Sequence, residues 1–348
     1  MLYLIFLTGR CNLKCKYCGG SIPREMMPSE VTYSIKELKD FLSTDKNPSI
    51  AFYGGEPLLR IKLMEKIMDK IDAEHFILQT NGIFLNKVKK EYINRFSTIL
   101  VSIDGRREIN DFYRGKGTYD KVLENVKKLN RFYEGELIAR MVATEKTNIY
   151  REVKHLLSLE LFTHIHWQIN AVWYPLEEWK NFRKWVENYN QGISKLINWW
   201  ATKAKKGNLF GIVPFLGVLK ALLGYKNNAP PCGAGKDCFS ITTDGRILAC
   251  PICADLEWNN LGNLKDGIIK KVEILEPCRS CKYFEICGGR CLFFNRERLW
   301  GEEGFNLVCF TVRHLIEEIK KIKDDIIKLY SKKEVIYPKF NNTTEIIP

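Results

Sequence analysis

Three cysteines near the amino terminus have the spacing of a metal site. Cys11, Cys15 and Cys18 form a C-x3-C-x2-C motif directly after an apolar run, residues 2–8. Thiolates this close can share one site, but three of them leave a cubane iron-sulfur cluster one ligand short, since such clusters usually take four cysteines. An iron with an open position can bind a small molecule. The alternative is a structural zinc knuckle with a distant fourth ligand.

A second set of cysteines lies between residues 232 and 309. It comprises Cys232, Cys238, Cys250, Cys253, Cys278, Cys281, Cys287, Cys291 and Cys309. Asp244-Gly245 separates two β-like halves and predicts a hairpin that delivers Cys250. No basic segment precedes the first apolar run, so a signal peptide is not indicated. A reducing, cytoplasmic location is therefore expected, where clustered cysteines favour metal over disulfides.

Length and composition predict a soluble globular protein with one large and one smaller domain. The chain has 348 residues, of which 45% are hydrophobic and 27% charged. The longest apolar stretch, residues 209–224, contains Pro214 and Lys220 and is too short to span a membrane. The formal charge of +13 would suit a nucleic-acid partner. Ligation of about eleven thiolates would remove roughly five of those charges, so nucleic acid is not expected.

The first half of the chain alternates β-rich apolar runs with helical patterns. The predicted strands are residues 2–8, 49–54, 75–81, 98–104, 137–143 and 164–170. Six β-α repeats imply a parallel sheet, which an open doubly wound arrangement and a barrel satisfy equally well. In either case the chemistry is expected at the carboxyl ends of the strands.

Polar residues occur at the positions that such a sheet would direct to one face. In residues 164–170 the polar side chains alternate with apolar ones. The predicted inward set is Gln79, Asn81, Ser102, Asp104, Arg140, His164, His166, Gln168 and Asn170. A hydrogen-bonded barrel core is the simpler interpretation for the two histidines, whereas Ser102, Gln168 and Asn170 could contact cofactor or substrate. Gly54-Gly55-Glu56-Pro57 follows the second strand, where glycines allow a ligand to approach the backbone.

The three-cysteine motif, with Tyr17 before its last cysteine, resembles that of the radical S-adenosylmethionine (SAM) superfamily. Gly54 to Pro57 looks like the GGEP motif of the same superfamily. The resemblance implies a partial (β/α)6 TIM barrel and a cluster whose open iron chelates the amino and carboxylate groups of SAM. It also implies that Tyr17, Gly54, Gly55 and Glu56 form part of the cofactor site. The expected reaction is reductive cleavage of SAM into methionine and a 5′-deoxyadenosyl radical.

Residues 101–105 and 113–119 are similar to a stretch of anaerobic sulfatase-maturing enzymes, which implies that Ser102 and Arg114 contact SAM. The second set of cysteines looks like the SPASM domain of peptide-modifying radical SAM enzymes, which carries two auxiliary [4Fe-4S] clusters. The resemblance assigns Cys232, Cys238, Cys250 and Cys291 to the first auxiliary cluster. It assigns Cys278, Cys281, Cys287 and Cys309 to the second. Cys253 is left over, as a thiol or as a substitute for Cys250, and zinc is the competing metal.

These resemblances imply a domain order and an activity. The domains are a radical SAM barrel at residues 1–206, a connector helix at 207–230, a SPASM domain at 231–310, and an amphipathic helix and tail at 311–348. The expected enzyme modifies a ribosomally synthesised peptide or protein, forming a thioether or carbon-carbon cross-link. Side-chain oxidation is the alternative, although Pro251 occupies the position where sulfatase-maturing enzymes have an aspartate base. The residue attacked and the general base are not assigned.

The same resemblances imply partners. They are a precursor peptide and an electron donor such as ferredoxin or flavodoxin. The segment before Cys11 has no room for a leader-binding winged helix, so either a separate recognition protein or an exposed strand edge is expected to bind the leader. An RNA-modifying radical SAM enzyme and a non-catalytic multi-cluster electron carrier are the interpretations from other classes.

Overall fold

One mixed sheet runs through the part of the chain that the structure describes. The structure is a computed structural model that describes residues 1–170, 176, 179–298, 300–337 and 348. The strands are β1 Leu2–Phe6, β2 Ser49–Tyr53, β3 His75–Thr80, β4 Phe96–Ser102, β5 Glu136–Ala143, β6 His164–Ile169, β7 Gly211–Ile212, β8 Cys238–Ile241, β9 Arg246–Leu248, β10 Asn260–Asn263 and β11 Gly267–Ile268. The six strands predicted for the first half are all present, with ends that differ by at most two residues.

The helices follow the strands in the alternation expected of β-α repeats. They are α1 Ile35–Leu42, α2 Ile61–Lys70, α3 Lys90–Ile93, α4 Arg107–Arg114, α5 Thr118–Leu129, α6 Ile149–Ser158, α7 Phe182–Ala204, α8 Val213–Leu222, α9 Phe284–Cys287, α10 Leu292–Glu297, α11 Gly301–Leu329 and α12 Lys332–Val335. A capping box at Ser34 and Glu37 begins α1, and Asn148 caps α6 by accepting from the backbone N–H of Arg151.

Strand order confirms the α/β class. The order is β11-β10-β9-β8-β1-β2-β3-β4-β5-β6-β7. The eight strands at the end of this order, β8 followed by β1 to β7, all pair in parallel with their neighbours. β7 extends the repeats beyond the six that the sequence predicts, because two residues are too few to give a strand pattern. The curvature of a partial barrel and a separate SPASM domain remain predictions.

The register gathers the predicted polar residues on one face of the sheet. Directly paired residues of parallel strands point to the same side. Ser102 pairs with Arg140, and Arg140 pairs with His166. The opposite face is covered by helices: the Trp167 indole donates to the Tyr189 hydroxyl of α7 at 2.7 Å. The alternation in residues 164–170 therefore separates a polar face from a helix-covered face, as predicted.

The cysteine-rich region begins on the same sheet. The hairpin predicted at Asp244-Gly245 is formed by β8 and β9, and β8 pairs in parallel with β1. The backbone N–H of Thr32 donates to the Thr243 carbonyl at 2.8 Å, and the Thr243 hydroxyl donates to the Pro28 carbonyl at 2.5 Å. The hairpin therefore lies directly against the chain that follows the first cysteine motif.

The long carboxy-terminal helix packs on its own chain. It begins at Gly301, earlier than the apolar periodicity of residues 314–330 indicates, and it runs parallel to α7. Arg183 pairs with Glu303 at 2.7 Å and Ser194 with His314 at 2.8 Å, each 120 positions apart. Most of the predicted tail, residues 338–347, lies outside the described residues. No helix among those described is long and apolar enough to cross a membrane.

Packing of α11 gives a direct test of this arrangement. The side chain of Ile319 is 0% exposed and that of Leu329, on the same helix, is 51% exposed. We expect Ile319→Ala to lower the free energy of unfolding by about 2–5 kcal/mol, because it leaves a cavity. The control Leu329→Ala should change it by less than about 0.5 kcal/mol. Urea denaturation measures both, and equal effects would contradict the described packing.

Candidate active site

The loop that carries the first three cysteines rests against the turn after β2. The backbone N–H of Gly55 donates to the Thr8 carbonyl at 3.0 Å, and that of Glu56 donates to the Arg10 carbonyl at 2.9 Å. A Cβ atom on Gly54 would lie 2.4 Å from the Thr8 oxygen, and one on Gly55 would lie 2.3 Å from the Arg10 oxygen. Gly54 also has φ +134°, which side chains disfavour. The backbone of residues 8–10 therefore requires glycine at positions 54 and 55, because it leaves no room for a side chain.

Glu56 joins the carboxyl ends of two strands. Its buried carboxylate accepts hydrogen bonds from the Thr80 hydroxyl at 2.7 Å, the Asn81 backbone N–H at 2.7 Å and the Leu58 backbone N–H at 3.0 Å. Burial raises the pKa of Glu56 to about 7, although these donors oppose the shift. Asn81 in turn donates to Asn12 of the cysteine loop at 2.8 Å. Glu56 thus positions the loop, and its predicted contact with SAM stays a prediction.

A buried carboxylate, Asp104, holds the other side of the loop. It accepts from the Tyr17 hydroxyl at 2.8 Å and from Arg114 Nε and Nη2 at 2.8 and 3.0 Å. It also accepts from the Val142 backbone N–H at 2.9 Å. Burial alone would lower the pKa of Arg114, but the charge of Asp104 raises it, so the guanidinium stays protonated. Arg114 and Tyr17 therefore meet at Asp104, whereas Ser102 is half-buried on the polar face.

The three thiols differ in exposure. Cys15 is buried, Cys11 is half-buried and Cys18 is exposed. A hydrogen bond from Cys15 lowers the pKa of Cys18 to about 6. The hydrogen bond to Cys18 and burial raise the pKa of Cys15, and the Arg114 charge opposes that rise. Metal ligation needs thiolates, and a fixed cation beside these sulfurs favours them.

The four cysteines assigned to the second auxiliary cluster share one cavity. Cys278, Cys281, Cys287 and Cys309 line one pocket. Arg290 and Arg313 lie on the same wall. Burial raises the pKa of Cys309 to about 11, and the charges of these two arginines oppose that rise. Apolar side chains, among them Phe294, Phe305 and Val308, complete the lining. Four thiols and two cations in one largely apolar pocket fit an anionic group ligated by thiolates.

The neighbours of the other four assigned cysteines meet around Gly235. Its backbone N–H donates to the carbonyls of Cys238 and Ala249 at 3.1 and 3.0 Å. A Cβ atom on Gly235 would lie 3.6 Å from Leu292 Cδ2, and Leu292 directly follows Cys291. The backbone N–H of Cys238 donates to the Gly233 carbonyl at 2.9 Å, and Gly233 directly follows Cys232. The fold therefore brings the surroundings of Cys232, Cys238, Cys250 and Cys291 together.

Cys253 lies on the same loop as Cys250, but its backbone is in the left-handed region. Its φ is +54°, and Asn259 Nδ2 donates to the carbonyls of both Cys250 and Cys253, at 2.9 and 3.1 Å. Burial raises the pKa of the Cys253 thiol to about 12. All twelve cysteines are among the described residues, and each is a thiol. No group of three or more described His, Cys, Asp and Glu side chains surrounds one point closely enough for a single metal ion.

Tyr53 is a candidate site residue that the sequence analysis missed. It precedes Gly54 and pairs with Phe6, and the two rings lie 5.1 Å apart. Burial raises the pKa of its hydroxyl, with smaller effects from the charges of Arg140, Cys250 and Cys18. A hydrogen bond with the Gln79 side chain places the phenol on the polar face of the sheet. No sequence signal marks it, because a tyrosine at the end of a strand looks like an ordinary strand residue.

The class of protein follows from comparison of the sequence with protein families. Residues 5–157 match the model of the Radical SAM superfamily. The chain therefore contains a radical SAM domain.

Relatives and solved structures extend the similarity over most of the chain. The cysteine-type anaerobic sulfatase-maturating enzyme of Clostridium perfringens (strain 13 / Type A) is 27% identical over 332 residues, covering 81% of this chain and 85% of the relative. The mycofactocin maturase MftC of Mycolicibacterium smegmatis is 26% identical over 312 residues, covering 82% and 76%. The structure of native anSMEcpe with bound AdoMet aligns with a TM-score of 0.74 at 20% identity, covering 94% of this chain and 100% of that one. Streptococcus suis SuiB bound to precursor peptide SuiA aligns with a TM-score of 0.51 at 16% identity, covering 86% and 75%.

The buried pair of Asp104 and Arg114 gives the site's sharpest stability test. Asp104→Ala leaves the Arg114 charge buried without its partner, so we expect a loss of about 3–5 kcal/mol in the free energy of unfolding. Asp69 pairs with Arg95 at 2.9 Å on the surface, and Asp69→Ala should cost no more than about 1 kcal/mol. Chemical denaturation compares the two variants. Similar losses would show that Asp104 is not the buried centre described here.

Proposed function

We propose that this protein is a radical SAM enzyme that modifies a ribosomally synthesised peptide or a protein side chain. The observation that carries the proposal is the placement of Cys11, Cys15 and Cys18 beside the polar face of the parallel sheet, at the strands' carboxyl edge. The anaerobic sulfatase-maturating enzyme and the mycofactocin maturase align with this chain over most of their lengths. Their similarity supports a peptide or protein as the substrate. Thioether or carbon-carbon cross-link formation is the proposed outcome, with side-chain oxidation as the alternative.

The proposed cofactors are SAM and three [4Fe-4S] clusters. Cys11, Cys15 and Cys18 would hold the SAM-binding cluster, and the two groups of four cysteines would hold the auxiliary clusters. When bound, SAM and the first cluster supply a carbon-centred radical that abstracts a hydrogen atom from the substrate. The cysteine loop is fixed from both sides, by the Gly54-Gly55 turn and by Asp104. These contacts hold the loop that carries the three ligands in a fixed position.

SAM cleavage tests the proposal directly. Anaerobically reconstituted protein with SAM and dithionite should form 5′-deoxyadenosine and methionine. Cys15→Ala should abolish this product, because a two-cysteine loop cannot hold the cluster. Liquid chromatography measures it, and Leu329→Ala serves as the folded control. Absence of 5′-deoxyadenosine from cluster-loaded wild type would favour an electron carrier instead.

Iron content tests the auxiliary ligand sets and the part played by Cys253. Wild type should hold about twelve iron atoms per chain, and Cys281→Ala should hold about four fewer. Cys250→Ala should also lose about four, whereas Cys253→Ala should lose none. Iron analysis together with electron paramagnetic resonance gives the count. The reverse result for the last two variants would assign the ligand to Cys253.

The shape of the sheet favours a separate protein for leader recognition. The edge strands of the described sheet are β7 and β11, and each has two residues. Strand addition needs a longer row of unpaired backbone groups. We therefore propose that a separate recognition protein presents the precursor.

Precursor and leaderless core peptides distinguish these possibilities. With the recognition protein present, the full precursor should turn over faster than its leaderless core, by at least about tenfold if the leader contributes about 1.4 kcal/mol of binding. Without that protein the two rates should converge. Mass spectrometry of the modified peptide measures both. Equal rates in its presence would show that no leader is recognised.

The chain also supplies a hydrogen-bond donor to the proposed substrate chamber. Because burial raises the pKa of the Tyr53 hydroxyl, this phenol stays protonated at neutral pH and can donate but not act as a base. Tyr53→Phe should therefore slow peptide modification while 5′-deoxyadenosine still forms without peptide. Parallel assays of the two products test this. If both products fall equally, Tyr53 supports the cofactor site and not the substrate.

A further inference from the structure

An asparagine side chain at the end of β3 contacts the first cysteine of the motif. Asn81 directly follows Thr80, the last residue of that strand, and it is 8% exposed. Its Nδ2 donates to Oδ1 of Asn12 at 2.8 Å, and Asn12 directly follows Cys11. The same side chain also forms a hydrogen bond with Cys11. One amide therefore bonds to two neighbouring residues of the cysteine loop.

The orientation of this amide follows from a third contact. The backbone N–H of Ile83 donates to Asn81 Oδ1 at 3.0 Å. A backbone N–H can only donate, so the atom that it contacts must be the oxygen, and the nitrogen must face the cysteine loop. That nitrogen carries two protons, of which one is bound by Asn12 Oδ1. In the bond with Cys11, the amide is therefore the donor and the sulfur is the acceptor.

The chain holds both the donor and the sulfur in place. The Asn81 backbone N–H donates to the buried carboxylate of Glu56 at 2.7 Å. The Cys11 backbone N–H donates to Ser21 Oγ at 3.0 Å, and the Leu13 backbone N–H donates to Cys11 Sγ at 3.5 Å. The sulfur of Cys11 thus accepts from one backbone donor and one side-chain donor. Of these two donors, the amide of Asn81 is the one that a substitution can remove.

We propose that Asn81 raises the reduction potential of the iron-sulfur cluster held by Cys11, Cys15 and Cys18. This inference rests on the proposed function, in which these three cysteines ligate the cluster. Reduction by an external one-electron donor adds one negative charge to the cluster and its thiolates, and no bond forms or breaks. A hydrogen-bond donor at a ligating sulfur stabilises the more negative, reduced form more than the oxidised form. Asn81 therefore favours the reduction that must precede SAM cleavage.

A matched residue on the same turn separates this role from a purely structural one. Asn125 of α5 is also buried, and its Nδ2 donates to the carbonyls of Gly82 and Ile83 at 2.9 Å each. Gly82 directly follows Asn81, so both asparagines support the turn after β3. Asn125→Leu removes an amide that supports this turn and leaves the amide of Asn81 in place.

A redox titration of the reconstituted protein tests the proposal. Asn81→Leu, which replaces the amide with an apolar group of similar size, is compared with Asn125→Leu and with wild type. Each protein is reduced stepwise with dithionite, and electron paramagnetic resonance follows the reduced clusters at each potential. The signal of the first cluster is the one that Cys15→Ala lacks. Electron-nuclear double resonance before and after exchange into deuterium oxide detects protons that are hydrogen-bonded to its sulfurs, and iron analysis confirms that the clusters are present.

We expect the first cluster of Asn81→Leu to need a more negative potential for reduction. At a fixed potential the ratio of reduced to oxidised cluster should fall about tenfold, which corresponds to about 59 mV for one electron. One exchangeable proton coupling should disappear in the same variant. Asn125→Leu should keep the wild-type potential and coupling. Asn81→Asp keeps an oxygen for the Ile83 N–H but has no amide proton for the sulfur, so it should shift the potential in the same direction if Asn81→Leu does not fold.

Two results would overturn the proposal. One is a wild-type potential in the folded Asn81 variants, and the other is an equal shift in Asn81→Leu and Asn125→Leu. Failure of the proposed function would look different, because every cluster signal of wild type would then persist in Cys15→Ala.

Discussion

The buried carboxylate of Asp104 is the constraint on which the candidate site depends. It lies at the end of β4 and accepts hydrogen bonds from the cysteine loop, from α4 and from β5. Three elements that are far apart in sequence therefore share one anion. Burial of a carboxylate at 0% exposure costs free energy unless the group is paired and fully hydrogen-bonded. Loss of any one of these contacts would therefore weaken the reason for the others. The cysteine loop gains a fixed position from this requirement.

The Gly54-Gly55 turn packs tightly against the other side of the same loop. Backbone atoms of residues 8–10 occupy the space that side chains at both positions would need. The hairpin of the cysteine-rich region adds a third restraint, since Arg246 Nη2 donates to the Met26 carbonyl at 2.6 Å. The first cysteine motif and the region that carries Cys250 are thus parts of one packed unit.

Local patterns predicted the parts of this fold that depend on local physics. The six strands, the hairpin at Asp244-Gly245 and the polar face of β6 follow from alternation and turn chemistry, which a sequence displays directly. The contact between Tyr17 and Asp104 joins residues 87 positions apart, and that between Glu56 and Asn81 joins residues 25 apart. No periodicity encodes such pairs. The resemblance implies that Tyr17, Glu56 and Arg114 contact the cofactor, and this stays a prediction. The structure adds the contacts that these side chains make within the protein.

Tyr53 adds a hydroxyl group to the polar face of the sheet. Its hydroxyl hydrogen-bonds with the Gln79 side chain, and Ser102 is half-buried on the same polar face. Arg140 bonds to Gln168 across neighbouring strands, which keeps that face polar toward the strands' carboxyl ends. In the proposed function, this polar face would line the space beside the first cysteine loop.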